Sequence, residues 1–253
     1  MGSSVPDQPT LLEMCGITKW FGSVTANDGI DLTLAAGEIV GLLGENGAGK
    51  TTLMNILFGA YDADAGSIRI AGKPADIRSS ADALALGVGM VHQHYHLVPS
   101  HTVLENLMVG QTGGGWRLEH GWILKRMEEI RSRYGLDLDP RVFAGDLTVG
   151  QQQRLEIIKA LVRGARILIL DEPTAALTPQ EAEGLFKALS AMAKNGMGVI
   201  FISHKLHEVR AITTRVVILR QGKVAAAVNN DENTSKRQLA ELMCGRTVRP
   251  PQK

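Results

Sequence analysis

The stretch LTVGQQQRLEIIKALVRGARILILDEPT, residues 147–174, decides the fold of this chain. It joins a polar, glycine-containing helix start to an apolar strand that ends in two adjacent carboxylates, Asp171 and Glu172. Upstream lies GENGAGKT, residues 44–51, which fits the phosphate-loop pattern G-x-x-x-x-G-K-[ST] without a gap. Few nucleotide-binding proteins carry both stretches in this order, so together they predict a specific kind of nucleotide-binding domain.

The composition limits the class of protein further. The 253 residues are 44% hydrophobic, which suffices for one large domain or two small ones. A formal net charge of +1 argues against a broad nucleic-acid-binding surface. Cys15 and Cys244 lack metal-ligand spacing and are expected to be free thiols. With no apolar run near the ~20 residues of a membrane span and no signal peptide, the sequence predicts a cytoplasmic protein.

Apolar runs alternate with helical patterns along the chain, which predicts an α/β fold around a largely parallel sheet. The helical pattern over residues 97–161 predicts a helical subdomain inserted into that core, with a break at residues 112–115. Helices are also expected over residues 50–58 and 180–194. The expected strands are residues 11–17, 30–34, 39–43, 88–91, 167–170, 199–202 and 216–219.

The phosphate loop predicts the site of ATP and Mg²⁺. Gly47 and Gly49 allow a tight turn whose N–H groups face the phosphates, and the following helix favours an anion at its N-terminus. Lys50 would reach the terminal phosphates and the Thr51 hydroxyl would bind Mg²⁺. The alternative is a chance glycine-rich turn, against which the preceding strand and following helix argue. The residues assigned to the nucleotide here are Gly44, Glu45, Asn46, Gly47, Ala48, Gly49, Lys50, Thr51 and Thr52.

Asp171 and Glu172 are expected to divide two tasks, because neighbouring strand residues point their side chains in different directions. Asp171 would hold the Mg²⁺ shell, while Glu172 would orient or deprotonate the attacking water. The alternative is a surface pair that caps the next turn with the help of Pro173. The apolar strand before the pair and the phosphate loop upstream favour the catalytic interpretation.

Thr148 and Gln151 have the spacing of a capping box at the start of a helix. They belong either to an ordinary capped helix or, with the Gly150 N–H, to a second anion site at a helix N-terminus. Spacing alone does not separate these interpretations. Arg154 is expected either to brace the same helix or to be a solvated side chain.

The segment LTVGQ, residues 147–151, resembles the LSGGQ signature of ATP-binding cassette (ABC) ATPases. This resemblance extends over residues 11–246 and decides for the second anion site. It implies that Phe21 stacks on adenine, that Gln93 links the Mg²⁺ site to the helical subdomain as a metal ligand, and that His204 in FISHKLHEV contacts the γ-phosphate. Catalysis is thereby assigned to Glu172, His204 and Lys50.

The resemblance also implies the domain architecture. It is that of a P-loop NTPase core with an antiparallel β subdomain and an inserted helical subdomain. The core would comprise residues 11–96 and 163–230 and the helical subdomain residues 97–162, with flexible ends at 1–10 and 247–253.

Two departures from the family pattern indicate a branch. Val149 replaces a signature glycine, and Thr178 stands where many relatives have aspartate. Both resemble the ATP-binding subunits of simple-sugar and nucleoside importers, which carry two cassettes in one longer polypeptide. The LMCGR at residues 242–246 resembles the end of their first cassette.

That branch implies a set of partners and a location. The partners would be a second cassette, as a homodimer or tandem domain, membrane permease subunits near residues 93–101 and, indirectly, an extracytoplasmic solute-binding protein. No nucleic acid is expected, and the protein would lie on the cytoplasmic face of the membrane. The alternatives are a single-cassette importer subunit of branched-chain amino-acid type and a soluble ABC ATPase without a transporter.

The alternating histidines His92, His94, His96 and His101 suggest a metal site as another alternative. Their position beside Gln93 favours a role in lining the coupling region instead.

Overall fold

A computed structural model describes residues 8–93, 95–110, 120–232 and 234–245. The expected break at residues 112–115, His94 and most of both expected flexible ends lie outside these ranges. The domain boundaries inferred from the sequence stay a prediction.

The centre of the protein is a six-stranded sheet in the order β10-β9-β3-β8-β7-β6. Five strands are parallel and the edge strand β10 is antiparallel to β9. Strands β3, β6, β7 and β8 carry or precede the predicted motifs and are buried along their whole length. Continuous apolar runs of this kind are typical of strands that are covered on both faces. The strands are β3 (Ile39–Leu43), β6 (Val88–Val91), β7 (Ile167–Asp171), β8 (Gly198–Ile202), β9 (Arg215–Arg220) and β10 (Lys223–Asn229).

A second, antiparallel sheet packs beside the first in the order β2-β1-β4-β5. Its strands are β1 (Thr10–Phe21), β2 (Val24–Ala35), β4 (Ala65–Ile70) and β5 (Lys73–Pro74). Alternate residues such as Leu12 and Met14 of β1 and Leu32 and Leu34 of β2 are buried, because one face of this sheet covers the core. The strands expected at residues 11–17 and 30–34 are both found, and each extends to 12 residues.

Helices cover the central sheet and fill the region between β6 and β7. In that region the described residues hold α3 (Val103–Met108), α4 (His120–Tyr134), a 3-10 turn (Ala144–Asp146) and α5 (Val149–Val162), together with one isolated bridge, Thr102–Phe143. The remaining helices are α1 (Lys50–Leu57), α2 (Ser80–Ala85), α6 (Pro179–Lys194), α7 (Leu206–Ile212) and α8 (Lys236–Cys244). None of the helices in the described ranges is long and apolar enough to cross a membrane.

Two hydrophobic clusters lie on opposite faces of the central sheet. Ile39 and Leu43 of β3 join the cluster formed with α4, α5 and α6, whereas Val40 and Leu42 join the one formed with α1 and the antiparallel sheet. Strands β3, β8, β7 and β6 are consecutive neighbours and run in the same direction. The loops that follow them therefore meet at one edge of the sheet, where α/β proteins bind their ligands.

Candidate functional site

The phosphate loop connects β3 to α1 through backbone conformations that favour glycine. Gly47 and Gly49 have φ angles of 80° and 99°, in the left-handed region. A Cβ atom at Gly49 would lie 2.3 Å from the carbonyl oxygen of Ala26, so no other residue fits without moving β2. The loop thus holds the tight turn that the sequence pattern predicts.

Lys50 lies over the loop that precedes it. Its ammonium donates hydrogen bonds to the carbonyl oxygens of Gly44 at 2.7 Å and Glu45 at 2.9 Å. Burial lowers the pKa of Lys50, and the carboxylates of Glu172 and Asp171 oppose this shift. A cation is therefore held at the loop within the field of both carboxylates.

Asp171, the last residue of β7, is a buried carboxylate beside these charges. Burial and then repulsion from Glu172 raise its pKa, while Lys50 opposes the rise. A divalent cation would remove this electrostatic cost. The oxygen donors assigned from the sequence, the Thr51 hydroxyl, the Gln93 amide and the Asp171 carboxylate, are of the kind that Mg²⁺ prefers.

Glu172 and His204 form a direct contact between the loops after β7 and β8. The Nδ1 atom of His204 lies 2.8 and 2.9 Å from the two carboxylate oxygens of Glu172. Because an ionised carboxylate only accepts, Nδ1 carries the proton in this contact. The Glu172 backbone has a φ of 49°, a conformation that costs a non-glycine residue about 1–3 kcal/mol. The pair has the geometry of a base oriented by a neighbouring imidazole.

A buried glutamate that no sequence motif indicated joins the same two loops. The carboxylate of Glu208 accepts hydrogen bonds from the Thr174 hydroxyl at 2.5 Å and the Ser203 hydroxyl at 3.2 Å. Its other oxygen lies 3.2 Å from the Lys205 ammonium. Glu208 is 4% exposed on the first turn of α7. The mixed polar and apolar sequence LHEVRAI gave no signal that this glutamate is buried.

The signature segment begins α5 with the capping box that its spacing predicts. The Thr148 hydroxyl accepts from the Gln151 N–H at 3.3 Å, and the Gln151 side chain accepts from the Thr148 N–H at 2.9 Å. The capped-helix interpretation is therefore confirmed. The second interpretation, an anion site formed by Thr148 and the Gly150 N–H, stays a prediction. It is compatible with the capping box, because a capped helix end can also face an anion.

Glu181 of α6 packs against this end of α5. A Cβ atom at Gly150 would lie 2.4 Å from the Glu181 carboxylate, so a larger residue here would displace that carboxylate. The same carboxylate caps α6 by accepting from the N–H and hydroxyl of Thr178, both at 2.9 Å. Thr178, which departs from the common family residue, thus serves as the N-cap of α6. Val149 is 42% exposed, whereas Gly150 beside it is buried.

Phe21 is an exposed ring at the end of β1, and two neighbours contact it. Tyr61 meets it edge-to-face with ring centroids 5.3 Å apart. The Lys19 ammonium lies 5.6 Å from its centroid and pairs with Asp64 at 3.1 Å. The ring is therefore held as an exposed aromatic surface, and its stacking on adenine stays a prediction.

Gln93 is exposed just after β6. The preceding His92 packs its ring against Phe58 at 5.6 Å and against His96 at 5.0 Å. Burial and then repulsion from His96 lower the pKa of His92. Within the described part of the chain, no group of three or more His, Cys, Asp or Glu residues could hold a metal ion.

Comparisons with known protein sequences indicate the family. A family model described as ABC transporter matches residues 27–175. The nucleoside import ATP-binding protein NupA of Lactococcus lactis subsp. cremoris is 46% identical over 94% of this chain and 47% of its own length. The ribose import ATP-binding protein RbsA 1 of Rubrobacter xylanophilus is 44% identical over 94% of this chain and 48% of its own length. The chain spans about half the length of these relatives.

Solved structures have the same fold. A nucleotide-free ATP-binding cassette from an ABC transporter superimposes with a TM-score of 0.80 at 24% identity, covering 93% of this chain and 95% of that one. The structure of cbiO1 from Clostridium perfringens, part of the ABC transporter complex cbiONQ, has a TM-score of 0.79 at 27% identity and covers 92% and 93%.

Proposed function

This chain belongs to the ABC transporter ATP-binding family, and from that premise we propose that it hydrolyses ATP to drive import of a simple sugar or nucleoside through a separate membrane permease. The observation that carries the proposal is the contact of Glu172 with His204 beside Lys50 and Asp171. A carboxylate, an imidazole, a cation and a second, buried carboxylate lie together at one edge of the central sheet, which supports ATP hydrolysis.

In the proposed mechanism each side chain has one task. Lys50 exchanges the carbonyl oxygens of Gly44 and Glu45 for phosphate oxygens, and Phe21 stacks on the adenine. Glu172 orients the attacking water and accepts its proton. His204 keeps the Glu172 carboxylate oriented through its Nδ1–H and, when both ring nitrogens carry a proton, would donate its Nε2–H to the γ-phosphate. Thr51, Gln93 and Asp171 would hold Mg²⁺, which neutralises phosphate charge when bound.

A second cassette completes the proposal. Thr148 and Gly150 lie at the N-terminus of α5, where unpaired N–H groups and the helix dipole attract an anion. We assign this end to a nucleotide bound by the second cassette, so each ATP would lie between one phosphate loop and the opposite signature. The curated relatives are about twice as long as this chain, which supports a tandem arrangement of two cassettes; a homodimer is the alternative. A single cassette should therefore bind ATP and hydrolyse it poorly.

The proposed membrane partner is a permease that docks near residues 93–101 on the cytoplasmic face of the membrane, with a solute-binding protein on the other side. Nucleoside and ribose importers among the relatives support a solute of this class. A pull-down discriminates between this proposal and a soluble ABC ATPase. Recovery of a permease supports import, whereas recovery of ribosomes or DNA contradicts it.

Glu172→Gln tests the catalytic assignment in the assembled transporter. The substitution keeps the shape of the side chain and removes its basicity, so steady-state hydrolysis should fall roughly 10²–10⁴-fold while ATP binding is retained. Glu183→Gln, at an exposed ion pair on α6, is the matched control and should hydrolyse ATP normally. A Glu172→Gln rate near that of the wild type would refute the assignment.

A further inference from the structure

A charged pair on α5 holds both polar backbone atoms of a single residue, His96. The His96 N–H donates to the Glu156 carboxylate at 2.8 Å, and the His96 carbonyl accepts from the Lys159 ammonium at 3.1 Å. Glu156 and Lys159 are themselves paired at 2.9 Å. The loop that follows β6 is thus attached to α5 across about 60 positions of sequence.

The burial of this pair sets it apart from the ion pairs on the protein surface. The side chains of Glu156 and Lys159 are 7% and 14% exposed, whereas those of the Glu128–Arg131 pair on α4 are 62% and 52% exposed. Removing two charges from water costs free energy that their mutual attraction offsets only when further hydrogen bonds complete them. Here the backbone of His96 supplies those bonds, so the pair is suited to fixing a loop rather than to adding stability.

The position of the pair connects the two nucleotide-facing parts of the chain. His96 lies three residues after Gln93, and the His92 ring links the same loop to Phe58 directly after α1. Glu156 lies six residues after Gly150, roughly 9 Å along the rigid α5. A displacement of the loop is therefore passed to the helix end that carries Thr148 and Gly150.

We propose that Glu156 and Lys159 are positioning residues that couple the Gln93 loop to the signature end of α5. Neither residue is among those assigned to nucleotide, Mg²⁺ or catalysis. The inference rests on the proposed function, because that function assigns Gln93 to the Mg²⁺ site and Thr148 and Gly150 to a second nucleotide.

Exchanging the two charges separates this coupling from ordinary ion pairing. Glu156→Lys/Lys159→Glu keeps an ion pair at the same spacing, but a lysine cannot accept from the His96 N–H and a glutamate cannot donate to its carbonyl. Glu156→Gln instead removes the ion pair and keeps the loop contact, because the glutamine amide oxygen still accepts from the His96 N–H. The exchange Glu128→Arg/Arg131→Glu reverses an exposed pair of the same spacing and is the matched control.

The measurement is hydrogen exchange of the full chain with and without Mg²⁺ and a non-hydrolysable ATP analogue. We expect nucleotide to slow exchange in both the phosphate-loop helix, residues 50–57, and the start of α5, residues 149–158. In the Glu156→Lys/Lys159→Glu variant, the factor by which nucleotide slows exchange over residues 149–158 should be about tenfold smaller than in the wild type, a coupling of ordinary size. Residues 50–57 should stay protected. Glu156→Gln and the control exchange should behave like the wild type.

The possible failures are distinguishable. If nucleotide protects residues 50–57 of the exchanged variant and its α5 is protected as in the wild type, the coupling role is refuted. The coupling role is also refuted if nucleotide does not slow hydrogen exchange in α5 of the wild type. If residues 50–57 of the wild type are not protected, nucleotide binding itself, and with it the proposed function, is refuted. Should the exchanged variant not fold, Lys159→Met, which removes the bond to the His96 carbonyl together with the ion pair to Glu156, carries the same expectation.

Discussion

Replacing Glu208 with alanine should destabilise the protein strongly and slow hydrolysis without weakening ATP binding. The change leaves the buried hydroxyls of Thr174 and Ser203 without their acceptor and the Lys205 ammonium without its carboxylate. Lys205 is 31% exposed and keeps a bond to the Thr174 carbonyl, so the main loss is two hydrogen bonds to a charged acceptor, together roughly 3–5 kcal/mol. At roughly 2–4 °C per kcal/mol for a chain of this size, the melting temperature should fall by roughly 6–20 °C.

The catalytic consequence follows from which loops Glu208 joins. Thr174 lies two residues after Glu172 and Ser203 directly precedes His204, so both halves of the Glu172–His204 contact lose a shared anchor. The phosphate loop has no bond to Glu208. We therefore expect kcat to fall and KM for ATP to stay near its wild-type value.

Thermal unfolding of the chain and steady-state hydrolysis by the assembled transporter measure the two effects. Glu208→Gln keeps one oxygen acceptor and should lose less than half as much stability as the alanine variant. Glu183→Ala, at an exposed pair on α6, is the control and should change stability by at most about 0.5 kcal/mol. The reasoning would be refuted if Glu208→Ala lowered the melting temperature by less than roughly 2 °C, or if it raised KM and left kcat unchanged.

Three further outcomes are expected at the site. Gly49→Ala places a Cβ atom 2.3 Å from the Ala26 carbonyl at a φ of 99°, so calorimetry should find ATP affinity at least about tenfold weaker; wild-type affinity would contradict the geometry of the loop. Because the pKa of Asp171 is raised in the folded chain, its charge opposes folding above that pKa, so Asp171→Asn should raise the melting temperature at pH 7. This gain should shrink as the pH falls through the raised pKa, and a lower melting temperature at pH 7 would contradict it. His204→Ala removes the partner of Glu172 and should lower kcat more than it weakens equilibrium ATP binding; a weakened affinity with normal kcat would assign His204 to binding instead.

The strands that carry the motifs could be predicted from sequence because they are buried on both faces. Runs such as IVGLL and ILIL are continuous and apolar, and they form β3 (Ile39–Leu43) and β7 (Ile167–Asp171) as expected. The prediction missed β4 (Ala65–Ile70) and β10 (Lys223–Asn229), in which most residues are exposed or partly exposed and the apolar pattern is weak. These strands exist because a neighbouring strand pairs with them, which no local pattern records.

The sequence by itself determined the phosphate loop, the Asp171–Glu172 pair and the capped start of α5. Each of these is made by consecutive residues whose backbone preferences and hydrogen bonds are local. The tertiary structure alone decided which of these segments touch. The contact of Glu172 with His204, the bonds of Glu208 to two loops and the hold of Glu156 and Lys159 on His96 all join residues that are distant along the chain or lie on different elements. They depend on the order of strands in the sheet and the packing of α5, which are set by burial of the whole core and not by any single segment.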